Sequence, residues 1–136
     1  MAFLLDTNVL SELRKGARCD SKVRAWARTH QSARHCISVL SLGEIRKGIE
    51  LLRKKDPHQC SAFEHWLTRI RTDCAEDLLP ITDTIVERWG QLMDDQPQPV
   101  ADSLIAATAL EHNLTVVTRN VSDFSRTGAN VVDPFA

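Results

Sequence analysis

Short apolar runs alternate along this chain with segments whose apolar residues recur every three or four positions. Phe3-Leu4-Leu5 is one such run, ending in Asp6 and two small polar residues, Thr7 and Asn8. That order predicts a buried strand, an acid at its tip, and a helix beginning at once and reaching about Lys15. Gly16 is suited to ending it, and Asp20-Ser21 offers a cap for a second helix with Val23, Trp26 and Ala27 on one face. His35 to Val39 reads as a second strand. Val39, Leu42, Ile45, Ile49 and Leu52 then mark the clearest amphipathic helix, stopped at Asp56-Pro57. A further helix with Phe63, Trp66, Leu67 and Ile70 inward completes a helical hairpin.

The pattern continues with a third strand over Leu78-Leu79-Pro80-Ile81 and a helix capped by Thr82 or Asp83. That helix carries Ile85, Val86, Trp89, Leu92 and Met93. Residues 94–99, two acids and two prolines among them, predict a loop. Val100 to Asn113 is apolar nearly all round, the mark of a mostly buried helix. Leu114 to Thr118 reads as a fourth strand, Arg119 to Phe124 as a loop or short turn, and Asn130 to Asp133 as an edge strand. Strands alternating with helices predict an α/β fold with a mainly parallel sheet covered on both faces. With 136 residues and no internal linker, residues 1–136 read as one domain.

Composition narrows the class. The chain is 43% hydrophobic and 26% charged, and no apolar run approaches the roughly 18 residues that span a bilayer. Asp6 interrupts any leader-like start, so the expectation is a cytoplasmic protein with no membrane partner. A net charge of −1 argues against bulk adhesion to nucleic acid but leaves room for a local basic patch. Cys19, Cys36, Cys60 and Cys74 have no metal-finger spacing and read as free thiols, and the five histidines form no ligand motif.

The chemistry rests on acids. Asp6, Glu44, Asp102 and Asp123 each lie near a strand-to-helix junction or at the start of a following helix. In a parallel sheet those junctions share one edge, which predicts a cluster of three or four carboxylates in one cleft. Each acid has a plainer alternative. Asp6 suits a helix cap, and Asp102 suits a helix dipole. Ser41 with Glu44, and Asn120 with Asp123, have capping-box form. If the acids do converge, their repulsion calls for a proton or a cation, and an all-oxygen donor set favours Mg²⁺ or Mn²⁺ acting on phosphate.

Four stretches carry a resemblance: Asp6-Thr7-Asn8-Val9-Leu10-Ser11-Glu12, Ser38 to Ile45, Ala101 to Ala109, and Val117 to Phe124. In this order and separation they resemble the PIN-domain ribonucleases, nearest to the VapC-type and FitB-like toxins of bacterial toxin–antitoxin modules. The resemblance spans almost the whole chain. It implies a three-layer α/β/α sandwich with a parallel sheet of four to five strands, and metal-dependent hydrolysis of RNA phosphodiesters. It also implies homodimers, a cognate antitoxin protein that blocks the cleft, and higher assemblies with that antitoxin. The family's acids map onto Asp6, Glu44 and Asp102. The fourth position is divided between Asn120, which offers a carbonyl oxygen without charge, and Asp123. Thr7, Asn8 and Thr118 become supporting groups that orient ligands or water.

Arg46, Lys47 and Arg119 are the cations that could meet RNA phosphates. A phosphotransfer domain using Asp6 as nucleophile is disfavoured, because Asn8 stands where a second acid is needed. The alternative of another class is a catalytically silent module that keeps the cleft only to bind a partner protein or nucleic acid.

Overall fold

Leu4 has no exposed surface, and its neighbours Phe3 and Leu5 are buried on the opposite face of the same strand. That alternation sets the layering of the computed structural model, which describes residues 1–93 and 98–136. The strand β1 (Ala2–Leu5) pairs in parallel with β2 (Arg34–Ser38) on one side and β4 (Thr115–Val117) on the other. Two short strands extend the sheet outward: β3 (Leu78–Leu79) beside β2 and β5 (Val131–Val132) beside β4. The order β3-β2-β1-β4-β5 is parallel throughout.

One face is covered by α1 (Thr7–Leu13), α2 (Ser21–Thr29), α3 (Val39–Lys55) and α4 (Pro57–Asp73). Phe3, Leu5, Ile37 and Val117 point into that layer, against Val9, Leu42, Ile45, Ile49, Leu67 and Ile70. The other face carries α5 (Asp83–Leu92), α6 (Val100–His112) and α7 (Val121–Phe124). There Leu4, Cys36 and Val116 meet Ile105, Ala106, Ala109 and Phe124. The expected α/β/α sandwich is the observed architecture. Period-two alternation within strands buried on both faces is what separates its two cores.

Local chemistry sets the ends of the elements. Asp20, Ser38 and Thr82 each cap the following helix through a side-chain oxygen. Asp56 ends α3 and begins α4, accepting from the Gln59 amide (3.1 Å) with Pro57 in the first turn. α6 closes on Asn113 in the left-handed conformation (φ 56°).

Several expectations need correction. Val39 belongs to α3 rather than β2 and is 38% exposed, because Ser38 already caps the helix. Val86 likewise faces out, at 39%. β3 stops at Leu79, since Pro80 has no N–H for the ladder. The Arg119–Phe124 stretch contains a one-turn helix, pinned by the fully buried Phe124. α1 ends at Leu13, three residues before Gly16, which sits instead in a 3-10 turn over Gly16–Arg18. Of the anticipated 94–99 loop, residues 94–97 lie outside the described residues. The cysteines are free thiols, and among the described residues no helix is long and apolar enough to cross a membrane.

Removing the shared cap with Asp56→Ala should lower unfolding free energy by about 1 kcal/mol. Emptying the core with Leu67→Ala should cost about 2–5 kcal/mol. Urea midpoints of the two variants measure this ordering. An equal loss would mean that Asp56 does more than cap.

Candidate functional site

The sheet order reverses beside β1. From β1 the chain moves outward through β2 and β3, then returns to lay β4 on the other side of β1. Such a reversal opens a crevice at the carboxyl ends of the strands, where α/β proteins place ligands. Asp6 stands at that end of β1 and Thr118 at that end of β4. Their backbones are joined by the Asp6 amide donating to the Val117 carbonyl (2.9 Å).

Asp6 is buried, with 4% exposure, and its carboxylate is held on both oxygens. Oδ1 accepts from the Thr7 amide (2.8 Å), which makes Asp6 the cap of α1. Oδ2 accepts from the hydroxyl of the fully buried Thr118 (2.7 Å) and, more distantly, from the Asn8 amide (3.4 Å). The Thr118 hydroxyl in turn accepts from Asn8 Nδ2 (3.3 Å) and from the Asn120 backbone N–H (3.0 Å). Asn8 Oδ1 accepts from the Arg119 backbone N–H (3.1 Å). Thus capping and siting are the same act: the contacts that fix α1 also aim a buried carboxylate.

Glu44 lies on the second turn of α3 and is exposed. Its Oε1 accepts from the Thr7 hydroxyl (2.7 Å), so adjacent residues of α1 hold two acids. The Ser41–Glu44 capping box does not form. Ser38 caps α3 through the Leu40 amide (3.1 Å), and the buried Ser41 hydroxyl has no partner among the described residues. Asp102, half-buried, sits in the first turn of α6 as expected. Asp123 is exposed on α7, and the Asn120 side chain makes no capping bond there.

The acids sense one another. The Asp102 carboxyl is pushed up from 3.8 to about 6, first by burial and then by the negative charges of Asp6, Asp123 and Glu44. Yet no three acids, histidines or cysteines among the described residues converge closely enough to enclose an ion. The donor set still suits a hard divalent cation by its chemistry alone, because every donor is a carboxylate oxygen.

Sequence reasoning overlooked Ser103 and Trp89. Buried Ser103 accepts from the Trp89 indole N–H (3.0 Å) and donates to the Pro99 carbonyl (2.8 Å), tying the start of α6, and with it Asp102, to α5. A lone serine beside Asp102 in an otherwise apolar turn was the available signal. The cations fall differently. Arg46 is taken up by Glu64, a contact that raises its pKa, and by Glu50 (3.6 Å), while Arg53 bridges the same two acids. Arg46 thus joins α3 to α4 instead of standing free for phosphate. Lys47 is exposed, and the Arg119 guanidinium lies over the Phe135 ring at 4.5 Å.

The raised Asp102 pKa has a sign for stability. The folded, metal-free protein holds this proton more tightly than the unfolded chain. The associated stability is present below pH about 4 and lost as pH rises through about 6. In EDTA, Asp102→Asn should therefore melt higher than the parent at pH 7, with the gap closing by pH about 4. Thermal melts at both pH values check this, and a gap independent of pH would contradict it.

The chain and its fold have known relatives. The PIN domain family model matches residues 3–130. The VapC ribonuclease Y4jK of Sinorhizobium fredii is 29% identical over 97% of this chain and 96% of its own. The toxin FitB of Neisseria gonorrhoeae is 29% identical over 97% of each. Among solved structures, FitAB bound to an IR36 DNA fragment superposes with a TM-score of 0.83 at 26% identity, covering 100% of this chain and 96% of that one. Because the family match runs from β1 to just before β5, across every acid of the cleft, the chain belongs to the PIN domain family.

Proposed function

We propose that this protein is a divalent-metal-dependent endoribonuclease, the toxin of a toxin–antitoxin pair, working as one domain in the cytoplasm. The observation that carries the reading is the β1–β4 crevice, where Asp102, raised first by its burial, also senses the negative charges of Asp6, Asp123 and Glu44. A protein needing only a stable fold gains nothing from these like charges, whereas phosphodiester hydrolysis needs anionic oxygens to hold a hard cation. Two full-length relatives bear the names VapC ribonuclease and toxin FitB.

In this reading Asp6 and Asp102 hold Mg²⁺ or Mn²⁺, and Glu44 and Asp123 complete its surroundings. Asn120 is the weaker candidate beside Asp123, since its carbonyl oxygen brings no charge. The chemistry a bound cation supplies is charge neutralisation at the phosphate and a water of lowered pKa. The protein's own part is orientation. Thr118, Asn8 and the Thr7 amide keep Asp6 in one rotamer. The Thr7 hydroxyl engages Oε1 of Glu44 and leaves Oε2 to accept a proton from attacking water. The partner of the free toxin is an antitoxin protein that covers the crevice, and the toxin itself pairs as a homodimer. The relative solved as FitAB with DNA supports an assembly of that kind.

Purified protein incubated with total RNA should give products with Mg²⁺ or Mn²⁺ and none with EDTA, and Asp102→Asn should abolish them. Cleavage that survives both EDTA and the substitution would sink the assignment. Thr118→Val, which keeps shape but removes the hydroxyl on Asp6, should lower activity or metal affinity about 10–100-fold. Titrating metal against cleavage rate measures it.

A further inference from the structure

Arg14, at the end of α1, is an unexplained cation. Its guanidinium lies over the Phe63 ring at 4.2 Å and near Trp66 at 5.7 Å, and its buried Nε has no hydrogen-bond partner among the described residues. It borders an open hollow of about 610 Å³ that it shares with His58, His65, Trp66 and Arg69. The three α4 residues His58, His65 and Arg69 follow helical spacing and share one face. Among the described residues no carboxylate lines the hollow.

The hollow is not isolated. Trp66 also lines a narrower groove of about 190 Å³ that runs past Phe63 and Ser11 to Thr7 and Glu44. Thr7, Ser11 and Arg14 fall on one face of α1. At 1.5 Å per residue, Arg14 stands about 10 Å along the helix from Thr7. A track thus leads from the acids, over walls of hydroxyl, aromatic and aliphatic groups (Ile45, Ile49 and Leu52), to a basic end.

We propose that this track is the path of a single-stranded RNA flank, with phosphates beyond the cleavage point bound by Arg14 and Arg69. The inference rests on the ribonuclease reading. Stacking on Phe63 holds the Arg14 guanidinium in place, so less freedom is lost when it meets a phosphate. The uncharged middle of the track suits sugars and bases, and the Trp66 indole suits stacking. An acidic peptide would also meet the basic end, but it would run into Glu44 at the other. An RNA strand brings to that end the phosphate on which the acids work. With Arg46 committed to Glu64 and Glu50, Arg14 and Arg69 replace it as phosphate contacts.

The test measures binding of a fluorescent, random-sequence single-stranded RNA to Asp102→Asn protein in Mg²⁺ across a salt series, with cleavage by the otherwise parent protein in parallel. Arg14→Gln with Arg69→Gln should weaken binding about tenfold and flatten the log–log salt slope by about 1.4, near 0.7 per lost phosphate contact. Arg69→Gln alone, away from the Phe63 stack, should flatten it by about 0.7. Arg14→Lys with Arg69→Lys should restore most of the slope, a rescue that a merely structural role would not give. Melting curves confirm that the variants fold. If the parent cleaves RNA and the Gln variants keep its affinity and slope, the track is wrong while the ribonuclease reading stands. If the parent neither binds nor cleaves RNA, both fall. Unchanged RNA binding with lost binding of a polyglutamate peptide would overturn the proposal in favour of an acidic protein partner.

Discussion

A buried carboxylate at the tip of the central strand constrains everything around it. Asp6 has 4% exposure, and an ionised carboxylate there is tolerable only when its oxygens are satisfied. One satisfying group is local, the first amide of α1, and the other comes from across the sheet, the Thr118 hydroxyl 112 residues on. For Thr118 to reach, β4 must lie beside β1, so the order of the sheet and the hydrogen bonds of one acid are a single arrangement. Asn8 locks it by bonding both Thr118 and the backbone of Arg119.

The second constraint opposes the first. Asp102 is half-buried within reach of the charges of Asp6, Asp123 and Glu44, and burial first, then those charges, make it hold its proton to about pH 6. Folding therefore works against the site, as is common where function needs like charges together. The scaffold resists through apolar burial on both sheet faces and through ties aimed at the acids. Ser103 and Trp89 anchor the turn that bears Asp102, Phe124 anchors α7 beneath Asp123, and the Thr7 hydroxyl reaches Glu44.

The α3–α4 hairpin shows the same division of labour for cations. Arg46 and Arg53 share Glu50 and Glu64 and hold the two helices together, though such exposed pairs stabilise only weakly. What they contribute is selection, since arginines bound into the hairpin are withdrawn from ligands. Arg14 and Arg69 have no such acidic partner among the described residues, and they border an open hollow of about 610 Å³.

The sequence alone determined much of this. Apolar spacing is a local property, so it gave the alternation of strands and helices, the two-faced burial of β1 and the nearly all-apolar α6. Asp6, Asp20 and Thr82, placed just before apolar runs, located the caps of α1, α2 and α5, whereas the Ser38 cap of α3 went unread. Acids at strand-to-helix junctions could be assigned to one edge, because a parallel sheet puts all such junctions there. Element ends were less legible: Val39 and Val86 fit an apolar stripe by spacing yet face outward, since spacing does not say how wide the buried stripe is. What tertiary structure alone decided was pairing. Whether Glu44 caps its own helix or meets Thr7, whether Arg46 stands free or binds Glu64, and whether a serine merely sits beside Asp102 or ties its helix to Trp89 depend on residues 14 to 37 positions away. Hydrogen bonds and charges act over a few ångströms, and only the fold brings such residues within that range.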